Sequence, residues 1–445
     1  MRILHYFLGF PPYRSGGLTK FAFDLMQGQV DKGHEVSALW PGQINFFFKG
    51  VKIRQKKSIR GISNYELVNP SPVPLLDGIR DAQAFTVRKD SNFFLSFLQE
   101  IKPQVIHIHT LMGLPKEFLE AAKELEIRTV FTSHDYFGLC PRATFFRDNK
   151  FCVEDNHCKN CVSCNAHALS TKKIVLLQSP LYRLLKDSWL IKKLRTYHKA
   201  DISRKQQDSA KIKIRLNSNK HADDYLKLRL YYLQMFSLID VFHFNSTLTE
   251  SIYKKYLRPR TSKVISITHK NIKDNRHLAL DKKASANLRL TYLGGIVSYK
   301  GFFVLKQALD ELWESGFKNF ELHLFGHIHK PAPYMKCEGE KYSYGELENI
   351  FKNTDVLIVP SLCPETFGFT VLEALSYGVP VIVSENVGAK DIVKDAGLIV
   401  KADSVDELKT AILTMLKSLK KFHPENCEIK SWDSFLQEME NLYRI

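Results

Sequence analysis

The first apolar stretch, "RILHYFLGF" from Arg2 to Phe10, is short and breaks at Pro11 and Pro12. It predicts a buried strand followed by the loop "PPYRSGG". From Leu18 the apolar residues fall mostly at three- and four-residue spacing, through Phe21, Phe23, Leu25, Met26 and Val30. That period predicts a helix ending at Gly33. "EVSALW", "VIHIH", "RTVFTS" and "DVFHFN" continue the short apolar runs, with helical stretches between them. Near Leu288 a second series begins with "LRLTYLGG", "FELHLFG", "DVLIVPS", "VPVIVS" and "GLIV". The helices "GFFVLKQALDELWES" and "SYGELENIFKN" lie among them. Strands alternating with helices predict parallel sheets covered on both faces. The expected architecture is α/β, with two doubly wound Rossmann-like domains at residues 1–267 and 288–428 and a cleft between them. The polar, lysine-rich stretch from Thr268 to Asn287 is the natural linker, and the last helix, within 429–445, is expected to pack back on either half. In such sheets ligands bind beyond the carboxyl ends of the strands.

Composition narrows the class. A chain of 445 residues, 44% hydrophobic and 25% charged, is an ordinary folded protein too long for one core. The opening apolar run is too short for a signal peptide or a membrane span, and nowhere do 18 apolar residues run together, so a cytoplasmic protein is expected. The net charge of +17 is uneven: between Asn165 and Met235 sixteen Lys and Arg face five Asp. Such a segment suits an anionic neighbour, such as a nucleic acid, a membrane surface or an anionic substrate; a solvated helical face is the plain alternative.

The chemistry centres on "PETFGFTVLEAL", where Glu365 and Glu373 stand eight positions apart. Glu365 is expected in the loop after the strand "DVLIVP", and Glu373 in the first turn of a helix that begins near Thr370. Between them the amides of Phe367, Gly368, Phe369 and Thr370 are expected to form a free helix N-terminus, which attracts an anion such as a diphosphate. Gly368 lets the backbone approach a ligand closely. Carboxylates flanking a phosphate site call for neutral hydroxyls, so a sugar–diphosphate–ribose molecule matches the pattern; capping glutamates on an ordinary helix are the simpler explanation.

"PETFGFTVLEALSYGVPVI" resembles the Glu–seven residues–Glu signature of the retaining glycosyltransferases of family 4, which have the GT-B fold. The resemblance extends over "SGGLTKFAFDL", "HIHTLMGLP", "TSHDYFGLCPR" and "YLGGIVSYKG". It implies that Glu365 contacts the donor sugar, that Glu373 binds the nucleotide ribose, and that the intervening backbone holds sugar and diphosphate. Lys300 matches the family's diphosphate-binding lysine, and His134 the histidine aimed at the donor sugar. Gly16 and Gly17 match the glycine-rich turn after the first strand. One departure stands out: Gly294-Gly295 replaces the family's usual Gly-Arg, and Arg14 or Lys20 is the candidate substitute for the missing cation. The implied reaction is transfer of a sugar from a UDP- or GDP-sugar to a hydroxyl acceptor with retained configuration. The implied setting is bacterial surface polysaccharide assembly with a glycan or lipid-linked acceptor. No catalytic cofactor is expected and no nucleic acid partner. A nucleotide-sugar epimerase or a phosphorylase is the alternative within the same fold, and a basic zinc-containing nucleic-acid binder the alternative outside it.

Five of the eight cysteines, Cys140, Cys152, Cys158, Cys161 and Cys164, crowd into "CPRATFFRDNKFCVEDNHCKNCVSC". The two-residue gaps match zinc-knuckle spacing. A structural zinc, an iron–sulfur cluster and plain reduced thiols all remain open for this loop, which follows the His134 segment. Beyond it, "KKIVLLQSPLYRLLKDSWLIKKLRTYHK" mixes Lys and Arg with Leu, Ile, Trp and Tyr within the basic helical segment 165–235. Such a helix suits an anionic membrane surface or, equally, a core-packed helix with a solvated basic face.

Overall fold

The computed structural model describes residues 1–14, 16–45, 47–48, 50–74, 78–152, 157–186, 188–189, 193, 218–281, 286–328 and 331–445. The chain divides into two compact units, one of residues 1–131, 136–143 and 154–240, the other of residues 132–135, 144–153 and 241–445. Much of the expected basic segment, 187, 190–192 and 194–217, lies outside the described residues.

The strands of the first unit are β1 (Arg2–Tyr6), β2 (Glu35–Pro41), β3 (Lys52–Ile59), β4 (Ile62–Val68), β5 (Val105–Ile108) and β6 (Arg128–Thr132). They run in the order β6-β5-β1-β2-β4-β3. Helices α1 (Gly17–Asp31), α2 (Ser91–Ile101) and α3 (Lys116–Glu124) connect them. β1 pairs in parallel with both β2 and β5, as the short apolar runs predict. β3 and β4 form an antiparallel hairpin that the pattern did not announce. "KIRQKKSI" has almost no apolar alternation because its strand is largely exposed, and lysines on an outer strand discourage further pairing. Among the described residues, three short helices, α4 (Lys159–Cys164), α5 (Thr171–Leu177) and α6 (Pro180–Leu185), and the longer α7 (Ser218–Ser237) follow.

The second unit holds the two-residue strands β7 (Phe146–Arg147) and β8 (Lys150–Phe151), the parallel pair β9 (Val241–Phe244) and β10 (Thr261–Val264), and α8 (Thr247–Tyr253). Its main sheet comprises β11 (Leu288–Tyr292), β12 (Phe320–Leu324), β13 (Met335–Cys337), β14 (Val356–Val359), β15 (Val381–Ser384) and β16 (Gly397–Val400). Helices α9 (Phe302–Glu314), α10 (Leu347–Lys352), α11 (Phe369–Ser376), α12 (Val405–Ser418) and α13 (Trp432–Arg444) complete it. The strand order is β13-β12-β11-β14-β15-β16, all parallel. β14 and β15, reading "VLIV" and "VIVS", are buried almost throughout, as strands covered on both faces must be. The core joins Leu290, Tyr292, Leu305, Leu309, Ile358 and Ile382 with Ile412 and Met415 of α12. Each such side chain contributes roughly 1.5–3 kcal/mol by leaving water. The expected division ended the first domain at residue 267, whereas the compact second unit already includes β9 and β10. The last helix agrees with that division, since Phe435 of α13 lies against His243 of β9 with ring centroids 6.4 Å apart.

Strand order reverses between β11 and β14: from β11 the chain builds outward to β13, then returns to β14 on the other side. In open parallel sheets that reversal opens a crevice at the carboxyl ends of the two strands. The loops after β11 and β14 carry Lys300 and Glu365.

Candidate functional site at the strand reversal

After β11 the chain loops through Gly294 and Gly295 to a short turn at Ser298–Lys300. Tyr292, buried at the end of β11, organises that loop by donating its hydroxyl to the Gly295 carbonyl at 2.7 Å and the Lys300 carbonyl at 3.3 Å. The loop after β14 is fastened to it, because the amides of Leu362 and Cys363 both donate to the Tyr299 carbonyl, at 3.0 and 3.1 Å. Gly301 makes this junction possible. Its φ is +75°, and a Cβ there would stand 1.8 Å from the Pro360 carbonyl oxygen.

These two loops bring Lys300 Nζ to 3.1 Å from Glu365 Oε1. The Ser361 hydroxyl donates to the same oxygen. Burial alone pulls the Lys300 pKa down, but the Glu365 carboxylate outweighs it and holds the ammonium above its ordinary value. From the other side, the Glu365 amide donates to the Asn386 carbonyl at 2.8 Å, and the Gly388 and Ala389 amides donate to the carbonyls of Glu365 and Phe367. Cys363 is a buried thiol whose pKa burial pushes up to about 12, which leaves it unreactive.

α11 starts at Phe369, one residue earlier than expected, behind Gly368 with φ +107° and no side-chain cap. An uncapped N-terminus of this kind presents backbone donors and the positive end of the helix dipole. Glu373 is not in the first turn; it is the fifth helical residue and is 3% exposed. Its carboxylate oxygen lies 3.5 Å from Nε2 of His269, a ring that also packs on Phe369 and Tyr344. His269 comes from the stretch read as a linker, so that stretch supplies a wall of the site. Along the chain nothing marks this residue beyond a lone histidine in "SITHKN". Burial and the Glu373 charge together raise Tyr342 above the usual phenol range.

His134 belongs to the same unit, and its carbonyl accepts from the Thr366 hydroxyl at 3.2 Å. The Thr366 carbonyl in turn accepts from Ser246 and Thr249 of the β9–α8 corner, each at 2.9 Å. The structure therefore gathers His134, Lys300, Glu365, Phe367, Gly368, Phe369, Thr370 and Glu373 into one unit. Gly16 and Gly17, with Arg14 and Lys20, belong to the other. There Gly16 takes φ 122° ahead of α1, and Lys20 pairs with Asp24 at 2.7 Å. Of the cysteines, Cys140, Cys158, Cys161 and Cys164 fall in the first unit and Cys152 in the second.

A histidine cluster went unremarked in the sequence. His5 on β1 and His107 and His109 on and after β5 are fully buried, and their ligating atoms converge within 4.8 Å. His5 Nδ1 lies 3.0 Å from His109 Nε2, and its Nε2 lies 2.7 Å from Gln29 Oε1. Donation from Nε2–H to the amide oxygen leaves Nδ1 of His5 as the acceptor facing His109 Nε2. Burial pushes His5 down to about 4; burial and then His243 push His134 down to about 3; burial pushes His243 down to about 4. Unfolded imidazole titrates near ~6.5. Between these values the unfolded chain binds more protons than the folded one. Stability is thus complete above pH ~6.5 and falls as pH drops toward the folded values. Thermal melts from pH 7 to pH 4 are expected to show a steadily falling Tm; a flat profile would contradict neutral burial of these rings.

Comparison with known proteins sets this geometry in context. Residues 280–426 match the family model described as glycosyl transferases group 1, and residues 15–156 match that of glycosyltransferase family 4. A Klebsiella pneumoniae relative, an uncharacterized 42.6 kDa protein in the cps region, is 21% identical over 85% of this chain and 83% of its own. Among solved structures, sucrose-phosphate synthase from Thermosynechococcus elongatus superposes with a TM-score of 0.59 at 13% identity, covering 100% of this chain and 98% of that one. Anabaena HepE in complex with UDP gives a TM-score of 0.55 at 12% identity, with 100% of both chains covered.

Proposed function

Because the chain belongs to the glycosyltransferases of the GT-B fold, we propose that it transfers a sugar with retained configuration from a UDP- or GDP-sugar to a hydroxyl acceptor in surface polysaccharide assembly. The observation that carries this reading is the contact of Lys300 with Glu365 where the strand order reverses, beside the uncapped N-terminus of α11. The donor's diphosphate meets Lys300 and the α11 amides, its sugar hydroxyls meet Glu365, and its ribose meets Glu373. The acceptor hydroxyl then bonds to the anomeric carbon as the bond to the diphosphate oxygen breaks on the same face, and that departing oxygen takes the acceptor's proton. Lys300 and the helix end stabilise charge as it develops on the leaving group. His134 is neutral at working pH, so it serves the sugar as a hydrogen-bond partner and leaves the cationic duty to Lys300. The cps-region relative supports polysaccharide assembly, and the UDP held by HepE supports a uridine donor.

The test is a thermal-shift screen of UDP- and GDP-sugars, with Glu373→Ala as the control. A ligand at a hundredfold its Kd adds about 2.7 kcal/mol of stability. Wild type is expected to gain that shift with its donor, and the variant to lose it while keeping its unliganded circular dichroism. Equal shifts in both proteins would refute the ribose role of Glu373.

A lipid-linked acceptor is the finer part of this reading, and α5 and α6 support it. Leu176, Leu181 and Leu184 are 53, 61 and 81% exposed, and Trp189 is 68% exposed. Lys172 and Lys173 are exposed at the start of the same run. Exposed apolar side chains among lysines suit an anionic lipid surface. Among the described residues no helix is long and apolar enough to cross a membrane. Wild type is expected to float with vesicles containing phosphatidylglycerol, and Leu184→Asp to remain behind. Equal flotation of the two would remove the helices from membrane contact.

A further inference from the structure

The cysteine loop has a geometry that the transferase chemistry does not use. α4 begins directly after Cys158, which takes the left-handed conformation with φ 67° and follows His157 at φ 52°. The turn closes through the Cys161 amide, which donates to the Cys158 carbonyl at 3.0 Å. It buries the Cys158 side chain completely and leaves Cys161 at 9%. Cys161 and Cys164, three residues apart on α4, share a face of that helix.

Two cations face these sulfurs. Arg142 Nη1 lies 3.6 Å from Cys164 Sγ, and Arg229 Nη2 of α7 lies 3.9 Å from Cys161 Sγ. Arg229 is held there by donating Nε–H to the Leu139 carbonyl at 3.0 Å, the residue before Cys140. Asn165 completes the frame: its side-chain amide donates to the Cys161 carbonyl at 2.8 Å, and its oxygen accepts from the Ile79 amide at 3.0 Å. Half-buried guanidinium groups gain little from neutral thiols. Four thiolates on one divalent cation carry a net charge of about −2, which two guanidiniums balance.

We propose that Cys140, Cys158, Cys161 and Cys164 bind one zinc ion as a structural tetrathiolate site, and that Cys152 takes no part. Tetrahedral zinc sets its sulfurs about 3.8 Å apart. Among the described residues no three of these sulfurs lie within 4.8 Å of one another, so zinc binding would draw them together. Each thiol loses its proton to solvent as it binds, and no electron is transferred. A structural zinc takes four ligands, and the amide of Cys152 donates to the Phe145 carbonyl beside the β7–β8 hairpin. The zinc joins the segment around Cys140 to α4 and, through Arg229, to α7.

Elemental analysis of protein purified under reducing conditions tests this. About one zinc per chain is expected in wild type and in Cys152→Ser, and at least a tenfold loss in Cys161→Ser and in Cys164→Ser. Cobalt exchanged into the full-length protein is expected to give the intense spectrum of a four-thiolate tetrahedral complex, a readout that does not depend on any variant folding. Wild type without zinc, iron with a visible cluster spectrum, or a cobalt spectrum with fewer thiolates would each overturn the proposal. Loss of zinc in Cys152→Ser would overturn the exclusion of that residue.

Discussion

Lys300→Ala is expected to lower kcat/KM for donor turnover, followed as nucleoside diphosphate release, by about 10²- to 10³-fold, the loss typical when one preorganised stabiliser of a developing anion is removed. In the proposed reaction negative charge grows on the diphosphate as its bond to the sugar breaks, and Lys300, with Nζ 3.1 Å from Glu365 Oε1, is the cation assigned to it. Gly294-Gly295 occupies the place where the family usually carries a second one. The fold is expected to survive, because a partly exposed ion pair contributes only about 0–1 kcal/mol. Lys300 is 32% and Glu365 15% exposed at the side chain. A loss of activity with an unchanged melting curve separates a chemical role from a structural one. Retention of near wild-type kcat/KM would remove Lys300 from the reaction.

The second large effect belongs to a residue with no side chain. Gly301→Ala places a Cβ 1.8 Å from the Pro360 carbonyl oxygen on a backbone with φ +75°. The left-handed conformation alone costs about 1–2 kcal/mol for an L-residue, and the backbone clash adds to it. The contact is with main chain on both sides, so no side-chain rotation relieves it. A destabilisation on the order of 3 kcal/mol is expected, or roughly 6–12 °C in Tm for a unit of this size. Because the Leu362 and Cys363 amides hang from the Tyr299 carbonyl across the same junction, Lys300 and Glu365 should also separate, with activity lost even at temperatures where the variant remains folded. Scanning calorimetry paired with turnover at 15 °C measures both. An unchanged Tm would mean that the two loops are not packed as described.

Which features the sequence made legible follows from how each is encoded. Buried parallel strands are nearly uninterrupted apolar runs, so β1, β5, β14 and β15 could be read directly. β3 could not, because a largely exposed outer strand rich in lysine carries no apolar period. The family resemblance singles out Lys300 and Glu365, and their meeting follows because each lies in a loop directly after a strand, at the same end of a parallel sheet. His269 was not legible, since its contact with Glu373 joins residues over a hundred positions apart through a stretch of no regular structure. Glu373 falls one residue deeper in its helix than expected, because a helix that begins behind a glycine with no capping side chain gives no sharp start signal. The His5–His109 contact depends on two strands lying side by side, a pairing that neither segment encodes by itself.

Calorimetric titration of UDP and GDP into wild type and Lys300→Met addresses the central claim most directly, since methionine keeps much of the stem and removes the charge. The preferred diphosphate is expected to bind Lys300→Met ten- to a hundredfold more weakly, a loss of about 1.4–2.8 kcal/mol, whereas the unphosphorylated nucleoside binds both proteins alike. Equal affinity of the two proteins for the diphosphate would contradict a donor site built on Lys300 and the N-terminus of α11.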